Sequence, residues 1–129
     1  MTRNTLKHIG WIATLGLLLS GPAAAHGDQK PSHGGQLVEA SHVSMELVAQ
    51  ASKVQVFLTE HGKSVAASGS SGSVILLADG KKTEVQLKAM DANRLEGQSS
   101  EPIRLPAKAI VKLSLPGGKT DQARFELAK

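Results

Sequence analysis

From residue 36 onward the chain alternates apolar and polar side chains with a period of two, the signature of half-buried β-strands. Over 43–48, Val43, Met45 and Leu47 share one face, while Ser44 and Glu46 share the other with His42. Over 53–59, Val54, Val56 and Leu58 point one way and Gln55, Phe57 and Thr59 the other. The clearest strand is 82–90, with Val85, Leu87 and Ala89 inward. Segment 110–115 alternates too, and 120–127 places Ala123, Phe125 and Leu127 inward. Segment 36–40 gives a first strand. Segment 73–78 is apolar on both faces and predicts a central strand. Segments 94–96 and 103–105 predict short, broken edge strands, because Pro102 and Pro106 cannot donate to a ladder.

Turn residues separate these runs. Glu60-His61-Gly62-Lys63, Asp91-Ala92-Asn93 and Pro116-Gly117-Gly118-Lys119 predict turns, and Asp79-Gly80 is a strong hairpin signal. Residues 68–73 (SGSSGS) predict a flexible loop. No segment after the leader carries helical periodicity. The expected fold is therefore all-β: seven or eight strands in a two-sheet antiparallel sandwich over 36–129, of immunoglobulin-like or cupredoxin-like architecture. Its core is aliphatic, each buried Val, Leu or Ile contributing roughly 1.5–3 kcal/mol.

The start of the chain follows another pattern. Arg3, Lys7 and His8 precede an apolar run from Ile9 to Leu19. Ser20-Gly21-Pro22 breaks it, and Ala23-Ala24-Ala25 offers small residues for cleavage. This predicts a secretory signal peptide over 1–25, too short to span a bilayer, and a periplasmic location. A cut after Ala25 starts the mature chain at His26; a cut after Ala23 starts it at Ala24. Loss of Arg3 and Lys7 removes two units from the formal charge of +4. The remaining basic residues are scattered, so no stripe suits a phosphate backbone. The absence of Cys rules out disulfides and thiolate metal sites. Phe57 and Phe125 are the only aromatic residues beyond the leader, too few for stacking sugars or single-stranded bases.

Candidate chemistry rests on four histidines: His26, His33, His42 and His61. Their spacing matches no zinc-finger template. Residues 26–35 (HGDQKPSHGG) predict a flexible tail that holds two of them. A freed α-amine beside the His26 imidazole offers two nitrogen donors to Cu(II), and an Ala24-Ala25-His26 start offers an amino-terminal chelate. His33 is a ligand candidate on the arm that carries His26; as a plain loop residue it precedes the turn at Gly34-Gly35. His42 and Glu46 lie about 13 Å apart along one strand, too far to share one ion. His61 is a candidate at a hairpin tip, with a solvated turn residue as the alternative. Met45 falls on the inward face and reads as core. No nucleophile elbow, P-loop, HExxH or EF-hand loop is present, and the chain is expected not to be an enzyme.

At His33-Gly34-Gly35-Gln36-Leu37, followed by Ser44-Met45-Glu46-Leu47-Val48, the sequence resembles the amino-terminal β-domain of periplasmic adaptor subunits in heavy-metal efflux pumps of the resistance-nodulation-division type. The likeness continues through Val54 to Thr59, Gly62 to Val65, Gly80 to Lys82, Leu95 to Gly97 and the closing 113–125 hairpin. It implies a periplasmic β-domain linked to copper, zinc, cobalt or cadmium handling. His33 matches the start of that motif. Where relatives carry a His before the apolar-Glu step, this chain has Ser44. The helical hairpin and lipoyl-like domain of such adaptors are missing. The expectation is a periplasmic accessory protein that binds Cu(II) or Zn(II) through His26 and His33, with His42 or His61 completing the site, in partnership with efflux components. The alternative is a non-metal interaction module docking on an envelope complex through a sheet edge.

Overall fold

The computed structural model describes residues 29–129, so the leader, His26 and the first residues of the predicted tail lie outside the described residues. Among the described residues nine antiparallel strands form: β1 Gln36–Glu39, β2 Ser44–Gln50, β3 Lys53–Glu60, β4 Lys63–Ser64, β5 Ser71–Ala78, β6 Lys81–Ala89, β7 Arg94–Gln98, β8 Ala107–Leu115 and β9 Lys119–Leu127. The one helical element among the described residues is a 3-10 turn at Pro116–Gly118.

The strands do not divide into two sheets. Hydrogen-bonded neighbours run in one order, β1-β2-β3-β7-β6-β5-β8-β9, with β4 beside β3. The sheet coils until β1 reaches β9, so the architecture is a nearly closed barrel where two facing sheets were expected. Alternation cannot separate the two, because each requires one apolar face per strand. That face is as predicted. Val43, Met45, Leu47, Val54, Val56, Leu58, Val85, Leu87, Ala123 and Phe125 are all buried in one core.

Three glycines explain how the sheet curls so tightly. A Cβ on Gly35, Gly72 or Gly97 would stand 2.3 Å from the carbonyl oxygen of Leu47, Lys112 or Gln86 respectively. At these points one backbone lies directly over the next strand, which only glycine permits. Asp79 and Gly80 turn with φ of 50° and 73°, the predicted tight hairpin. Three strand expectations are corrected. Segment 94–96, expected at a sheet edge, belongs to β7, which pairs with β3 on one side and β6 on the other. Strand β5 begins at Ser71, inside the predicted loop, because β6 and β8 pair with it on both sides through Gly72 and Ser73. Residues 103–105 form no strand; Pro102 and Pro106 interrupt them, and Ile103 bonds only the Ala51 carbonyl, at 2.8 Å.

Closure at the β1–β9 seam is made by side chains. No backbone ladder joins the two strands among the described residues. Instead the Glu126 N–H donates to Gln36 Oε1 at 3.0 Å. At the other end of β1, the backbone N–H groups of His42 and Val43 donate to Asp121 Oδ2 on β9, at 2.8 and 2.9 Å.

Candidate functional site: two carboxylate-held histidines

Glu46 occupies the outer face of β2, where alternation predicts exposure, yet it is only 4% exposed. The chain ahead of β1 folds back over it. Glu46 Oε1 accepts the Ser32 N–H at 3.0 Å, and Oε2 accepts those of His33 and Gly35 at 2.8 and 2.9 Å. The His33 ring adds a fourth bond, Nδ1 to Oε1 at 3.0 Å. Phe57 stands opposite Glu46 in the β2–β3 ladder. The His33 ring lies flat on it, with centroids 3.6 Å apart and planes 5° from parallel. The HGG step is thus a clasp. Gly34 takes a φ of +75°, turning the chain, and Gly35 passes against β2 where a side chain would not fit.

His42 forms a second clasp of the same chemistry. Its Nδ1 lies 2.6 Å from Asp121 Oδ1, while Oδ2 takes the two backbone donors already named. Asp121 belongs to the inward row of β9 and its side chain is fully buried. Both carboxyl groups titrate below their ordinary values. For Glu46, burial pushes the pKa up, but the His33 ring and the backbone donors of Gly35, His33 and Ser32 outweigh it. For Asp121, burial is likewise outweighed by the His42 ring bond, the Val43 and His42 N–H groups and the charge attraction of His42.

An anionic partner on Nδ1 makes that nitrogen the N–H donor of the neutral imidazole, which leaves the lone pair on Nε2. The two histidine side chains are 42% and 40% exposed. The His33 ring lines a polar cleft together with Lys30, Glu46, Thr59, Ser64 and Asn93.

The four predicted histidines are not gathered together among the described residues. His33 is held by Glu46 of β2 and His42 by Asp121 of β9, so they belong to separate clasps. His61 sits at the β3–β4 hairpin with φ of 50°, a left-handed position that histidine tolerates better than most residues. His26 lies outside the described residues. No cluster of three or more His, Cys, Asp or Glu side chains suited to a metal forms among the described residues. Glu46 and Asp121 are the site residues that pattern reading missed. For Glu46 the available signal was a lone carboxylate within the S-M-E-L-V run, downstream of a His-Gly-Gly step; no pattern marked Asp121. No family model matches this chain, and no curated protein or solved structure matches it.

Proposed function

We propose that this is a periplasmic accessory protein that binds copper or another divalent heavy metal as cargo, holds it weakly, and passes it to an efflux system. The observation that carries the reading is the Glu46–His33 pair, in which a buried carboxylate fixes the imidazole tautomer and leaves Nε2 as the donor. Ligating histidines are commonly oriented by such a carboxylate on the other ring nitrogen. The folded body supplies one imidazole per clasp, a donor set that suits a labile hold rather than a closed structural site.

A second donor is within reach of the chain start. Gln29 and Lys30 line the same cleft as His33. His26 precedes Gln29 by three residues, a span of at most about 10 Å. With a freed α-amine, His26 would bring two nitrogens toward Nε2 of His33. Bound metal needs neutral imidazole, so affinity falls on acidification.

The test is a titration of the purified mature protein with Cu(II) and with Zn(II), followed by the ring resonances of each histidine. His33 and His26 are expected to respond first. Glu46→Gln, which removes no ligand, should weaken binding, because an amide NH₂ facing Nδ1 inverts the tautomer and protonates Nε2. Unchanged histidine resonances at stoichiometric metal would remove this function and leave the non-metal interaction module.

A further inference from the structure

Strand β5 is apolar on both faces, and the barrel uses only one of them. Val74 and Leu76 enter the core, while Ile75 and Leu77 point outward. Ile75 stands opposite Ile110 of β8 in the ladder, so two isoleucines meet on the outer surface at the centre of the sheet. Beside them Leu77 is 47% exposed, the most exposed large hydrophobic side chain among the described residues. The contrast with Phe57 is direct: that outward ring is buried under the clasp around Glu46, whereas no segment of the described residues folds back over the strands that carry the isoleucine pair, and both stay partly exposed.

Ladder register places cations around this centre. Leu77 lies between Lys82 of β6 and Lys108 of β8, and Ile110 lies opposite Arg124 of β9. Lys112 and Lys88 extend the same outward face. None of these five cations is ion-paired among the described residues. Two carboxylates share the face: Glu84 opposite Ile75, and Glu126 opposite Lys108. The result is an aliphatic centre with a net cationic surround, four strands and about 15 Å wide.

We propose that the outer face of β6-β5-β8-β9 docks an acidic protein surface, one that sets aliphatic side chains among aspartates and glutamates. Charge complementarity selects the occupant. A dry apolar centre with a polar, charged surround is the anatomy of a protein interface, and unpaired cations at its margin steer a carboxylate-rich partner. A second copy of the same face would bring like charges together. A lipid surface is a poorer match, because interfacial anchors insert aromatic or long apolar side chains. Both described phenylalanines are buried, and the two isoleucines are only partly exposed. The inference is independent of metal binding, since no histidine lies on this face.

The test titrates the isotope-labelled purified protein with a soluble peptide of alternating leucine and glutamate, and separately with phosphatidylglycerol vesicles. Peptide shifts are expected at Ile75, Leu77, Ile110 and Lys112, with affinity falling as salt rises. Lys112→Glu with Arg124→Glu should raise the peptide Kd about tenfold. Ile75→Thr with Ile110→Thr, which keeps both strands β-branched and all charges in place, should raise it as well. Shifts confined to other strands, or binding that survives both double substitutions in folded protein, would overturn the proposal. Binding to vesicles with no response to the peptide would also overturn it and assign the face to lipid.

Discussion

Asp121→Asn is the most informative single substitution in this fold. In the native protein Oδ2 accepts two backbone N–H groups and Oδ1 accepts His42 Nδ1. An asparagine can place its carbonyl oxygen where Oδ2 stands and keep both backbone bonds. Its NH₂ then faces His42 Nδ1, which can accept only if the ring proton moves to Nε2. All three contacts survive, but none is charge-assisted. Hydrogen bonds to charged groups contribute about 1.5–3 kcal/mol and neutral ones about 0.5–1.5, so roughly 1 kcal/mol is lost per bond and about 3 kcal/mol in total. For a domain of this size that lowers Tm by about 15 °C. Asp121→Ala leaves the same donors without any partner and should cost more.

Urea denaturation measures the loss, and nitrogen chemical shifts of the His42 ring report the tautomer. The acid limb follows from the lowered pKa. A carboxylate with a depressed native pKa contributes its full stability above the ordinary Asp range, and the contribution is lost as pH falls through the native value. As pH falls below the ordinary Asp range toward the lowered native value, wild type and Asp121→Asn should therefore draw together. Equal stability of the two proteins at pH 7 would refute the reasoning. So would a destabilised Asp121→Asn whose His42 Nδ1 still carries the proton.

Two further outcomes are expected. Glu46→Gln can keep the His33 and Gly35 N–H bonds on one oxygen but turns an NH₂ toward the Ser32 N–H, so amide exchange at 32–35 should quicken by about tenfold or more while β5, β8 and β9 stay protected, as native-state exchange would show. Gly97→Ala places a methyl group 2.3 Å from the Gln86 carbonyl oxygen and should cost about 3 kcal/mol in denaturant, whereas Gly80→Ala at the open β5–β6 turn strains only the local φ.

Much of the strand content was legible because period-two alternation reports faces directly. Val54, Val56 and Leu58, or Ala123 and Phe125, can be buried together in only one way. Closure was not legible, since a sandwich and a barrel impose the same alternation on each strand. The informative residues were Gly72, which reads as part of a loop, and Gly97, which reads as lying past a short strand; both stand inside strands, where the missing Cβ admits a neighbouring backbone. The site failed for a related reason. Glu46 sits at an outward position and reads as solvated. Only the return of residues 32–35 over β2 buries it, and that path depends on turns set by Gly34 and Gly35 rather than on any repeating pattern. His33 was found from its motif; its fixed tautomer depends on a contact between positions 13 apart in sequence.

The seam between β1 and β9 has a consequence for handling the protein. A nine-residue strand whose free edge takes one glutamine carbonyl from β1, and whose own aspartate holds the turn after β1, stays open until the short first strand arrives. During refolding at high concentration, that edge is the natural template for strand exchange between molecules. The yield of soluble monomer should then track the timing of two polar contacts more closely than the quality of the hydrophobic interior.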